Sequence, residues 1–266
     1  MRAGWFMIAF CIAGFVFLYA PILSLVIFSF NESQLVTVWG GFSTKWYGAL
    51  LQNRDILAAA GISLQVAAIS ATAAVALGTL AAYVLVRFGR FRTRALLTGM
   101  STAPLVMPEV ITGLSLLLLF VSMESLIGWP AGRGKLTIMI AHITFCMAYV
   151  TVVVQSRLAS FDMSLEEAAM DLGARPVRVF FDITLPVIAP ALVAGWLLAF
   201  TLSLDDLVVA SFVTGPGAST LPMVIFSKVR LGVSPEVNAL ASIIIGVVAL
   251  GVLLATLRMR KAAKNG

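Results

Sequence analysis

Residues 56–86 read ILAAAGISLQVAAISATAAVALGTLAAYVLV, a run without one charged side chain. A helix of about 20 apolar residues crosses the hydrocarbon core of a bilayer, so this run spans with residues to spare. Ala67, Ala68, Ser70, Ala71, Ala73, Ala74, Ala76, Gly78, Ala81 and Ala82 make it a slim helix. Small side chains let helix backbones approach closely where lipid supplies no hydrophobic drive. This helix is therefore expected inside a bundle, away from lipid.

Working outward, five more runs have the same character. Residues 3–31, 136–156 and 237–257 carry no acid, lysine or arginine, although the second holds His142. Residues 95–123 carry only Glu109, and 183–227 only Asp205 and Asp206. Six spans follow, with Thr214-Gly215-Pro216-Gly217 ending the fifth helix. The expected architecture is an all-α polytopic membrane protein, a single transmembrane domain over residues 1–266. Composition agrees, at 61% hydrophobic and 11% charged, against roughly 25% charged in soluble domains. Such a chain cannot cover a water-facing globule with polar groups, which excludes a soluble enzyme, and its hydrophobicity excludes disorder.

The apolar run after Arg2 is longer than the h-region of a signal peptide, so it reads as a retained helix. With the N-terminus inside, cytoplasmic segments hold Arg2, Arg87, Arg90, Arg92, Arg94, Arg157, Arg175, Arg178, Arg258, Arg260, Lys261 and Lys264. Outer loops then hold half as many: Lys45, Arg54, Arg133, Lys135, Lys228 and Arg230. Basic residues concentrate on the cytoplasmic side, so both termini are expected there. The net charge of +6 has the same origin and does not indicate nucleic acid. Cys11 and Cys146 fit no metal-ligand spacing, so neither a metal nor a cofactor is expected. A phosphate loop is missing as well. The nearest candidate, Gly134-Lys135, is followed by Leu136 and has Trp129 where the first glycine belongs, so the chain is not expected to hydrolyse ATP.

The loop 157–182 carries eight of the chain's 30 charges. Ser164 and Glu167 have the spacing of a capping box, Gly173 suits a helix C-terminus, and Pro176 follows it. Val177 to Phe181 offers a second short turn before Leu185-Pro186 opens the fifth span. A compact cytoplasmic elbow over about 164–182 results. Its pattern, Glu167-Ala168-Ala169, then Gly173, Ile183 and Leu185-Pro186, resembles the EAA loop of ABC-importer permeases at every signature position. The stretches Ala103 to Gly113, Thr201 to Leu207, Phe30-Asn31 with Val38-Trp39, Trp46-Tyr47-Gly48, Ser211 to Gly217 and Thr220-Leu221-Pro222 are similar to polyamine-importer permeases, most of all to the second permease subunits of putrescine importers.

That resemblance implies a type I ABC-importer permease fold in a bacterial inner membrane. It implies two ATP-binding subunits, a second homologous permease and a periplasmic polyamine-binding protein as partners. It also implies that Glu167, Ala168, Ala169 and Gly173 contact the ATPase.

Glu109, Asp205 and Asp206 lie within spans, where a carboxylate costs about 2.5–3.5 kcal/mol on insertion scales. Intramembrane acids mark a substrate or ion path, and carboxylates without a balancing base suit a di- or polyammonium cargo. Counted from Ala95 and Ala191, Glu109 and Asp205 fall at similar depth, unless Pro104 and Pro108 kink or end the helix and shift Glu109 outward. Asp205 and Asp206, about 100° apart on a helix, cannot both face the path. Trp39, Trp46 and Tyr47 fit the interfacial aromatic belt; alternatively one of them, with Trp46 the candidate, meets the cargo through its ring face. His142 reads as a hydrogen-bonded packing residue. Alternatives are the same fold carrying spermidine, iron or thiamine, or a proton-coupled secondary transporter, for which the elbow has no use.

Overall fold

A computed structural model of the chain describes residues 2–35, 38–231 and 235–265, with side chains for 4–35, 38–230 and 235–250. The described residues are helical throughout apart from loops and one isolated bridge between Asn31 and Phe42. Helices long and apolar enough to cross a membrane cover Gly4–Phe28, Arg54–Arg87, Glu109–Ile127, Lys135–Ala159 and Pro176–Asp205. The sixth expected span lies on the helix Pro235–Asn265, whose stretch with described side chains, Pro235–Leu250, is a shorter, predominantly apolar helix. The chain forms two compact units, residues 1–57 with 225–266, and residues 58–224.

In the first unit, α1 (Arg2–Phe28) presents apolar side chains on all sides, as a helix bathed in lipid does. The loop after it is organised by buried Asn31. Its Nδ2 donates to the carbonyls of Leu35 (3.2 Å) and Val38 (2.7 Å), and its Oδ1 accepts from Gly40 N–H at 2.8 Å. The short helix α2 (Lys45–Gln52) then brings Trp46 against this loop. Its indole N–H donates to the Asn31 carbonyl at 2.7 Å, and the Tyr47 hydroxyl lies 2.7 Å from that of Ser29.

The second unit is built on α3 (Arg54–Arg87), α4 (Arg94–Val106), α5 (Glu109–Ile127) and α6 (Lys135–Ala159). The slim face of α3 is buried as expected, with Ala67, Ala71, Ala74 and Ala82 fully enclosed. A Cβ at Gly78 would lie 3.0 Å from the Val150 side chain of α6, so the glycine sets how near these two helices come. Then come α7 (Ser164–Asp171), α8 (Pro176–Val179), a π-helical turn (Phe180–Thr184), α9 (Leu185–Asp205), α10 (Val208–Val213) and α11 (Leu221–Leu231), which runs on into the first unit; α12 (Pro235–Asn265) closes the chain. Helix α6 is the axis, with α4, α9 and α10 packed around it.

Three expectations need correction. The third run is two helices, because Pro108 has no N–H to donate and pushes Met107 into extended backbone (ψ 135°). Glu109 therefore opens a helix and does not lie 14 residues along one. The fifth run breaks at Asp206, whose backbone is extended (ψ 126°), well before the turn at 214–217. That turn ends α10 instead, with Gly217 at φ +72°. Finally, Ser164 and Glu167 form no side-chain cap: the Asp162 carboxylate accepts the Ser164 N–H at 3.0 Å, so the chain turns one residue earlier than the capping box requires.

Candidate functional site: a carboxylate-lined cavity and a clamped elbow

The two helix breaks meet. A cavity of about 310 Å³ is lined by Pro104 and Met107 before α5, by Glu109 and Thr112 on it, by Phe145 and Tyr149 of α6, and by residues 202 and 205–209. Irregular backbone at membrane depth is tolerated where it lines a cavity, and both interruptions do so here. All three intramembrane acids of the sequence reading reach this one cavity, and its lining contains no lysine or arginine.

The adjacent aspartates differ in kind. The Asp206 side chain is 6% exposed and lies 3.2 Å from His142 Nε2. It also accepts the N–H groups of Val209 (3.3 Å) and Ala210 (2.8 Å), capping α10. His142 is fully buried, and its Nδ1 lies 2.6 Å from Ser203 Oγ. The Nδ1 edge of the imidazole pairs with the Ser203 hydroxyl, while Nε2 approaches the Asp206 carboxylate without reaching hydrogen-bond geometry. Asp206 thus finds its compensation in an imidazole and a helix N-terminus, with no need for a basic side chain. Asp205 lies exposed at the last position of α9, where no side chain neutralises it in the hydrogen-bond and ion-pair network of the described residues. A carboxylate there adds to the negative end of the helix dipole, which strengthens attraction for a cation. Glu109, also exposed, opens α5, where the dipole favours a carboxylate. His142 is the hydrogen-bonded packing residue expected of it, with a more specific task. Ser203, Phe145 and Tyr149 escaped notice. Ser203 was findable, since it lies three residues before Asp206 on nearly the same helical face.

Trp46 belongs to the first unit. Its N–H is committed to Asn31, and Lys45 Nζ lies 4.9 Å from its ring centroid.

In the elbow, Glu167, Ala168 and Gly173 are exposed and Ala169 is half-buried. Gly173 has φ +86°; its N–H bonds the Met170 carbonyl (2.9 Å) and the Ala174 N–H that of Ala169 (3.0 Å). This is a Schellman cap, which needs a residue free to adopt a left-handed backbone. The neighbouring Glu166 was missed. It is the only buried side chain of α7 and makes a two-point ion pair with Arg87, Nε to Oε2 at 3.1 Å and Nη2 to Oε1 at 3.2 Å. Thr184, fully buried in the π-helical turn, donates to Glu166 Oε1 at 2.6 Å. No sequence signal links Arg87 to Glu166.

Comparison with known proteins gives this geometry a family. The profile of the binding-protein-dependent transport system inner membrane component matches residues 74–262. The chain is 62% identical to the putrescine transport system permease protein PotI of Escherichia coli K12, over 100% of this chain and 94% of that protein. It is 46% identical to the spermidine/putrescine transport system permease protein PotC of the same organism, over 89% of this chain and 87% of that one. Among solved structures, a bacterial ABC transporter that imports the acidic polysaccharide alginate aligns over 97% of this chain and 96% of its own, with a TM-score of 0.74 at 17% identity, a likeness of fold alone. An all-helical chain with apolar spanning helices, an EAA-type elbow and these relatives is a transport permease, and it belongs to the family of binding-protein-dependent inner membrane transport components.

Proposed function

We propose that the chain is the permease subunit of an ATP-driven polyamine importer with putrescine as cargo, a single permease domain over residues 1–266 that forms half of the translocation pathway. The observation that carries this is the division of labour in the cavity. Asp206 is spoken for by His142 and α10, whereas Glu109 and Asp205 are exposed on the lining. Two free carboxylates and no competing base make a receptor for a linear diammonium ion, each end donating up to three hydrogen bonds. Phe145 and Tyr149 add apolar and aromatic wall for the methylene chain and its charged ends. The similarity to a putrescine permease supports the same cargo. Spermidine is the second reading, favoured by the similarity to a spermidine/putrescine permease. In this account Trp46 holds the first outer loop, and its ring face away from Lys45 is the one available to cargo.

Power is supplied from outside the chain. Two ATP-binding subunits dock on Glu167, Ala168, Ala169 and Gly173. A second homologous permease completes the pathway, and a periplasmic binding protein delivers the polyamine. Exposure of Glu167, Ala168 and Gly173 supports the docking role, as does the apolar fringe of Leu165, Met170 and Leu172 around them. The excess of basic residues in alternate loops supports a cytoplasmic location for both termini.

Uptake competition with diamines of graded length tests the cargo. Putrescine is expected to compete best, spermidine next, and monoamines least. Equal competition by monoamines and diamines would contradict a two-carboxylate receptor.

A further inference from the structure

An amphipathic surface helix normally buries an apolar stripe. Helix α7 does not: its one buried side chain is the carboxylate of Glu166, while Leu165 and Met170 are exposed. Apolar contact is non-directional and lets a helix slide, but a charge-assisted hydrogen bond from a guanidinium to a carboxylate fixes distance and direction. Here it comes from Nη2 of Arg87, the last residue of α3, with Nε close to the second carboxylate oxygen but outside hydrogen-bond geometry. The guanidinium also lies 5.3 Å from the Phe161 ring just beyond α6. The carboxylate's second hydrogen bond comes from Thr184, at the top of the π-helical turn that opens into α9. π-turns recur at functional positions. From that turn α9 runs 21 residues to Asp205 on the cavity, about 30 Å at the helical rise.

We propose that Arg87 and Glu166 are positioning residues for transport. Their buried ion pair, with Thr184, ties the docking helix rigidly to α3 and to the base of α9, so that movement imposed on the elbow reaches the carboxylate end of α9. The proposal rests on the elbow being the ATPase contact.

The test is the ratio of putrescine imported to ATP hydrolysed, measured on whole importer complexes in proteoliposomes. Arg87→Lys keeps the charge and removes the planar guanidinium that bonds Glu166 and faces the Phe161 ring. Complexes carrying it should assemble and hydrolyse ATP within about twofold of wild type but import about fivefold less per ATP, since a point charge does not hold one orientation. The double variant Arg87→Met with Glu166→Met removes both buried charges. It should assemble better than either single variant and keep the low ratio. A wild-type ratio in either variant, including in a residual assembled fraction, overturns the proposal and leaves the pair a purely structural one. The docking reading fails separately: Ala169→Asp complexes that retain the ATPase and transport normally would remove it without touching these ratios.

Discussion

Two pairs of adjacent acids bracket the fifth spanning helix, and each pair divides the same way. In Glu166-Glu167 the first residue is buried on Arg87 and the second is exposed. In Asp205-Asp206 the second is buried on His142 and the first is exposed. Glu166 and Glu167 are successive residues of α7 and point about 100° apart. Asp205 ends α9, whereas Asp206 turns out of it in extended backbone. By either route one acid becomes an anchor and the other stays free. The two anchors differ in means. Glu166 is held by a full positive charge, and Asp206 by an imidazole and two backbone N–H groups. The proposed role of the cavity accounts for the choice, because an arginine beside Asp205 would compete with a cationic cargo. At the elbow no such conflict exists.

The comparison breaks most visibly at Arg87. Arg87→Ala strands the Glu166 carboxylate in a buried site, which costs about 3–5 kcal/mol for a broken buried pair. The amount of folded protein in membranes should fall sharply, as read by detergent-extracted yield and thermal unfolding. Unchanged yield would mean that water reaches Glu166.

Asp206→Asn should cost less, about 1–3 kcal/mol, because one amide oxygen still accepts from the α10 N–H groups. Its loss should appear as lower assembled protein. The single variants His142→Gln and Asp206→Asn should be non-additive, since each breaks the same contact. A double-mutant cycle should return a coupling of about 0.5–3 kcal/mol; strict additivity would mean that the 3.2 Å approach contributes nothing.

The smallest effect concerns the start of α7. Ser164→Ala should change stability by no more than about 0.5 kcal/mol, since the exposed hydroxyl caps no backbone group of α7 and only assists Asp162. Asp162→Ala should fray the first turn, lowering helix protection in hydrogen exchange at residues 164–167. Hydrogen bonds from Ser164, first its N–H and then its side chain, hold the Asp162 carboxyl below its ordinary range. That cap therefore contributes above the ordinary aspartate value of about 3.9 and is lost as pH falls through the depressed one. Protection at 164–167 that does not weaken in acid would contradict the assignment.

Much of this was legible beforehand, for physical reasons that differ by region. Charge-free runs mark spanning helices because lipid admits little else, and the slim α3 face announced itself in its alanines. Gly173 was legible because only a residue at home in a left-handed backbone suits a Schellman cap. The convergence of Glu109, Asp205 and Asp206 followed from the expense of lone carboxylates in a membrane. Helix breaks were harder. Pro108 signalled one, but the break at Asp206-Leu207 has no proline or glycine and exists because the Asp206 side chain caps α10. The pairs Arg87–Glu166 and His142–Asp206 join residues 79 and 64 positions apart and depend on how helices pack, which no local pattern encodes. Asn31 showed only as a family-like signature, and its place as the hub of the loop after α1 depends on contacts with residues four to nine positions away.

The central claim is that Asp205 receives the cargo while its neighbour Asp206 holds the fold. Its most direct test is putrescine uptake at limiting concentration by Asp205→Asn, normalised to the amount of assembled importer. Losing a charge-assisted hydrogen bond of about 1.5–3 kcal/mol predicts a 10–100-fold fall in uptake, with assembly at the wild-type level. Wild-type uptake per assembled complex in Asp205→Asn, or a loss that tracks assembly alone, would contradict the account.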